Sequence, residues 1–124
     1  MIYLPIKLKS ILINTSKNSD IEEGFILVGT LNKIKRIFKI TNKNNSNMSI
    51  RADPKEILCI EKYCDDNKLE LMGFFHSHLY STASPSRKDI ELMKSSSQLW
   101  IIYSKLNNNM FAFTYKDKLE SIEI

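Results

Sequence analysis

Residues 69–89, LELMGFFHSHLYSTASPSRKD, constrain the fold more than any other stretch of this chain. An apolar run leads into two histidines two positions apart, His76 and His78. Side chains alternate across a strand, so extended backbone puts both imidazoles on one face. Tyr80 to Pro85 is a small-residue loop. Ser86 then opens a helix with Asp89 three positions later, the spacing of a capping box. The helix N-terminus carries partial positive charge and keeps that carboxylate ionised, as a metal ligand must be. Capping and coordination compete for one carboxylate, and its position suits both. Two imidazoles and a carboxylate are suitable zinc ligands, and three protein ligands leave a fourth position for water. An open position is what distinguishes a catalytic zinc site from a structural one. The pattern therefore points to hydrolysis by metal-activated water. His76 and His78 are the chain's only histidines.

The remaining segments read as alternating helices and strands. Leu4 to Thr15 has apolar residues near helical spacing, and polar Ser16 to Asp20 ends it. Gly24 to Thr30 is a continuous apolar run typical of a buried strand. Leu31 to Lys33 makes a turn, and Ile34 to Thr41 pairs back as a hairpin. Asn42 to Asn47 is a surface loop, and Met48 to Arg51 is a short extra strand. Asp53 is an N-cap, Pro54 fits the first helical position and Glu56 completes a capping box. Ile57, Ile60 and Cys64 form that helix's apolar stripe, and it ends near Asn67. Leu69 to Phe75 is a central strand leading into His76, and the third helix runs from Ser86 to about Ser95. Leu99 to Ser104 and Met110 to Tyr115 are strands joined at Lys105 to Asn109, with a last weak strand at Leu119 to Ile124. Trp100 and Phe25, Phe74, Phe75, Phe111 and Phe113 fall in strand patterns and are assigned to the core. The pattern is an α/β (α+β) layer structure in one domain, residues 1–124.

Composition narrows the function classes. A chain of 124 residues is long enough for a real core. Apolar content of 43% and charge of 26% are ordinary for a soluble protein. No apolar run approaches the roughly 20 residues needed to span a bilayer. The N-terminus lacks the order of a signal peptide, so a cytoplasmic location is expected. Net charge is +4. Its excess lies in Lys33, Lys35, Arg36, Lys39 and Lys43, which suits a protected edge strand. No aromatic series accompanies these residues, so nucleic-acid binding is not expected. An acidic protein partner would suit the surface. Cys59 and Cys64, five apart on one helix, are expected to be buried, reduced thiols.

Taken together, H-x-H, seven residues and S-x-x-D form a pattern similar to that of the JAMM (JAB1/MPN/Mov34) metalloprotease family. The matching residues are His76, Ser77, His78, Ser86 and Asp89. The family also places a glutamate ahead of an early buried strand. EEGFILVG, Glu22 to Gly29, resembles that segment, with Glu22 the preferred match and Glu23 the competitor. The DP-started helix and the strand into HSH resemble small stand-alone prokaryotic members. Leu79 departs from the family pattern, which commonly has proline after the second histidine. Proline restricts its predecessor, so the loop here is expected to be more mobile.

The resemblance implies a mixed, curved sheet flanked by helices, similar to the cytidine deaminase-like fold. It implies one Zn2+ held by His76, His78 and Asp89, with water as the fourth ligand. Glu22 would shuttle the proton and Ser86 would hydrogen-bond the water or the oxyanion. Ser77, on the opposite strand face, packs or hydrogen-bonds within the sheet, and Tyr80 is a substrate-contact candidate. The implied substrate is a ubiquitin-like or sulfur-carrier protein conjugate, cleaved after a C-terminal Gly-Gly tail. A homodimer is possible. Two other readings stand beside it: a catalytically inactive MPN-type scaffold, and a relative of the RadC-like DNA-repair group.

Overall fold

A computed structural model describes residues 1–41, 53–95 and 98–124. In chain order the elements are α1 (Ile6–Lys17), β1 (Gly24–Thr30), β2 (Lys33–Lys39), α2 (Pro54–Asn67), β3 (Glu70–His78), α3 (Arg87–Lys94), β4 (Leu99–Ser104), β5 (Asn109–Tyr115) and β6 (Leu119–Ile122). The loop expected at 42–47 and the strand expected at 48–51 lie outside the described residues.

The six strands form one mixed sheet in the order β2-β1-β3-β4-β5-β6. Every neighbouring pair is antiparallel except β3–β4, which is parallel from Gly73↔Leu99 to His78↔Ser104. A parallel pair requires a crossover, and α3 sits in it. The chain that leaves β3 at His78 must therefore return over the sheet before β4 starts, which carries Asp89 back above the histidines.

Each sheet face has its own core. On one face α1 sends Leu12 against Phe25, Leu27, Ile34, Phe75, Leu99, Ile101 and Tyr103. On the other, α2 packs Ile57, Ile60 and Cys64 against Ile26, Val28, Phe38 and Phe74. Strict alternation along β3 is broken by a bulge. Leu27 pairs with Gly73 but Val28 pairs with Leu71, so Met72 is the extra residue. Leu71 and Phe74 consequently share the α2 face, while Met72 packs on the α1 side.

Several boundaries differ from expectation. The first helix lies two residues later than its apolar pattern. Pro5 occupies the N-cap position, and Ser16 Oγ donates back to Leu12 O at 2.8 Å, holding the last turn. The first hairpin turns at Leu31–Asn32 alone, so β2 begins at Lys33. Strand β3 runs through both histidines instead of stopping at Phe75. Asp53 caps α2 by accepting from Lys55 N–H at 3.0 Å, while Glu56 accepts from Thr41 N–H at 3.5 Å.

Two core assignments are corrected. Cys59 is exposed, because it lies off the Ile57–Ile60–Cys64 stripe; only Cys64 is buried. Phe111 is 49% exposed on β5, and Phe74 and Phe113 are half-buried. Phe25, Phe75 and Trp100 are buried as expected. The basic residues of β2 line a sheet edge, with Lys33, Lys35, Arg36 and Lys39 exposed. Among the described residues no helix is long and apolar enough to cross a membrane.

Candidate metal centre

The start of α3 meets the C-terminal end of β3. His76 and His78 project from one face of that strand, with ring centroids 4.8 Å apart. Asp89 lies in the first turn of α3. All three residues are buried, and their ligand atoms lie within 4.8 Å of one another.

The local sequence explains how α3 presents its carboxylate. Ser86 Oγ accepts from Asp89 N–H at 3.1 Å, and Asp89 Oδ2 accepts from Ser86 N–H at 2.9 Å, completing a capping box. The same Oδ2 lies 3.0 Å from His78 Nε2, and Oδ1 lies 3.4 Å from His76 Nε2. Capping and convergence on the histidines are thus satisfied by one carboxylate.

Each imidazole is oriented from its far side. His78 Nδ1 lies 2.7 Å from the Thr82 carbonyl. A carbonyl only accepts, so Nδ1 donates to it, and Nε2 is the nitrogen that faces Asp89 and is placed to serve as a ligand. His76 Nδ1 lies 3.8 Å from Glu22 Oε1. Trp100 stands edge-on to the His76 ring at 5.8 Å. The 3.4 Å approach to Oδ1 is not a hydrogen bond, so His76 Nε2 is buried with no hydrogen-bonding partner among the described residues. Such an atom is costly unless something binds it. Zinc–nitrogen and zinc–oxygen bonds of about 2.0–2.2 Å place neighbouring tetrahedral ligands roughly 3–4 Å apart. The two contacts at 3.0 and 3.4 Å match that spacing, so the residues present fit a divalent metal.

The charges reinforce one another. Burial disfavours the His76 imidazolium, but contact with Asp89 and then Glu22 outweighs it and raises the group to about 9. Burial likewise opposes ionising Asp89, yet His76, His78 and the Ser86 N–H hold its carboxyl well below the usual carboxylate range.

The two candidate glutamates separate cleanly. Glu22 faces His76. Glu23 points to the other side, where its carboxylate lies 3.7 Å from Lys39 Nζ. Ser77 is fully buried on the face opposite the histidines and bonded within the sheet, as its position in the strand implied. Leu79 is buried. Its loop is tied down by the Thr82 carbonyl on His78 and by Ser104 Oγ donating to Ser81 O at 2.7 Å. Tyr80, 67% exposed, joins Asp20, Leu79, Lys105 and Leu106 around a cleft of about 230 Å³.

A family model described as prokaryotic homologues of the JAB domain matches residues 8–116. This chain belongs to that family. The prokaryotic JAB-domain chain is also 30% identical over 108 residues to the desampylase of Pyrococcus furiosus, covering 86% of this chain and 77% of that protein. Protein DSY2949 of Desulfitobacterium hafniense has a similar solution structure, with TM-score 0.85 and 26% identity over 100% of this chain and 91% of that one. The fold recurs in a structure described as JAMM, a metalloprotease-like zinc site in the proteasome and signalosome. There the TM-score is 0.63 and identity 16%, over 100% and 95% of the two chains.

Sequence reasoning missed three contributors to this JAB-domain site. The Thr82 contribution is a backbone carbonyl, which carries no side-chain signature. Ser104 and Trp100 come from β4 and reach the site only through strand pairing.

Proposed function

We propose that the protein is a zinc-dependent isopeptidase or peptidase. Its substrate would be a ubiquitin-like or sulfur-carrier protein conjugate, cleaved after the C-terminal Gly-Gly tail. The observation that carries this reading is the burial of His76 Nε2, His78 Nε2 and the Asp89 carboxylate around one point, with Glu22 beside them. The desampylase relative supports the substrate class, and the JAMM zinc site of the same fold supports the metal.

His76, His78 and Asp89 would hold the ion. When bound, the metal supplies the Lewis acidity that makes water a nucleophile near neutral pH. Glu22 takes the proton from the attacking water and hands it to the departing amine. Water adds to the carbonyl carbon, giving a tetrahedral adduct with an oxyanion. The C–N bond breaks as that adduct collapses and the nitrogen takes up the proton, leaving a glycine carboxylate and a free amine. Ser86 accepts the Asp89 N–H through its oxygen and keeps its own proton to donate to the oxyanion. Losing such a donor costs about 3 kcal/mol of transition-state stabilisation.

The test is incubation with a ubiquitin-like protein linked through its Gly-Gly carboxylate to a lysine side chain. Cleavage at that amide should disappear with a chelator, return with zinc, and be absent in Glu22→Ala. Cleavage that persists under both chelation and the substitution refutes the mechanism.

A further inference from the structure

We infer that Ser77, between the two histidines but facing away from them, is the positioning residue for Glu22. This rests on the reading above, in which Glu22 moves the proton.

Strand β1 begins only at Gly24, and its last ladder pair with β3 is Gly24↔His76. Glu22 therefore lies beyond the regular ladder. What continues the pairing is Ser77. Its backbone N–H donates to Glu23 O at 2.9 Å, and its Oγ accepts from Glu23 N–H at 2.9 Å. In a regular hydrogen-bonded antiparallel pair both bonds are backbone to backbone. Here a buried hydroxyl replaces one carbonyl. On the other side of Glu22, Ser19 Oγ accepts from Ile21 N–H at 3.2 Å, and Lys105 Nζ donates to Ser19 O at 2.8 Å. Glu22 is suspended between these two anchors, and the Ser77 clamp acts on the adjacent residue. It also fixes which face each glutamate takes, because alternation sends Glu23 toward Lys39 and Glu22 toward His76.

Removing the hydroxyl leaves the buried Glu23 N–H without its acceptor and leaves the Ser77 N–H bond to Glu23 O as the pair's one remaining tie, which loosens the segment before β1. A displacement of about 1 Å at a reacting group can lower the rate roughly 100-fold. Ser77→Ala should lower kcat roughly 10- to 100-fold, with KM and zinc Kd unchanged within about threefold. Ser77→Thr, which keeps the hydroxyl, should restore kcat to within a few-fold. In a Glu22→Gln background Ser77→Ala should cost little more, because residues acting as a unit are not additive. A loss of zinc affinity parallel to the loss of rate, or full additivity with Glu22→Gln, would overturn the inference. Amide exchange judges the clamp separately and does not need the alanine variant to fold. The Glu23 N–H should be strongly protected in the wild-type protein and in Ser77→Thr; free exchange in the wild type disproves the clamp. If the wild type shows no chelator-sensitive cleavage, the catalytic reading fails, and Glu23 exchange still tests the bond itself.

Discussion

Asp89 Oδ2 lies 3.0 Å from His78 Nε2 while accepting the Ser86 N–H at 2.9 Å, so one oxygen serves both the helix cap and the histidine pair. Asp89→Asn preserves the shape and an acceptor for the cap but removes the charge. It should keep the fold but lower the stability of the metal-free protein near neutral pH, because the Asp89 charge is what raises His76 and is itself held ionised by the histidines. It should also weaken zinc binding by roughly 100-fold. Trp100 gives the readout. It is the chain's single tryptophan and stands 5.8 Å from His76. Its fluorescence should change during a zinc titration of the wild type, and much higher zinc should be needed in Asp89→Asn.

The raised His76 group gives the metal-free protein a specific pH response. A group with folded pKa about 9 and ordinary value 6.5 contributes stability that is complete below 6.5 and lost as pH climbs through 9. Unfolding free energy of the metal-free protein should fall across that window, by up to about 1.4 kcal/mol per pH unit. Zinc must displace the same proton, so its apparent affinity should rise by up to about tenfold per pH unit in the same window. Denaturant melts of chelated protein and zinc titrations at pH 6.5, 7.5 and 8.5 check the two opposite trends.

Gly73 starts the parallel pairing that brings the histidines beside β4. A Cβ at this position would lie 1.9 Å from the Leu99 carbonyl oxygen. The atom it meets is backbone, which cannot swing aside. Gly73→Ala should destabilise the protein by about 3 kcal/mol or more, read as a large drop in the denaturant midpoint.

Leu31 and Asn32 both have positive φ, 52° and 63°, in the two-residue turn between β1 and β2. Such turns favour asparagine and glycine, and leucine there costs about 1 kcal/mol. The Leu31 side chain is 91% exposed, so little packing is lost by replacing it. Leu31→Asn should raise stability by roughly 0.5–1 kcal/mol, seen as a Tm increase of a few degrees with cleavage activity unchanged.

The sequence alone determined the parts of this protein that depend on local spacing. His76 and His78 share a face because strands alternate, and Asp89 sits in a first turn because Ser86 caps it. The existence and order of the nine described helices and strands follow from the same apolar periodicities. Tertiary structure decided what depends on residues far apart in the chain. The parallel β3–β4 pairing brings α3 over the histidines, and the clamp between Ser77 and Glu23, 54 positions apart, turns Glu22 rather than Glu23 toward His76. The Thr82 carbonyl on His78, the bulge at Met72 and the exposure of Phe111 belong to the same class. The physical reason is that periodicity records which way a side chain points on its own element. Which partner it meets is set by strand register and crossover, and these are fixed only when the whole sheet assembles.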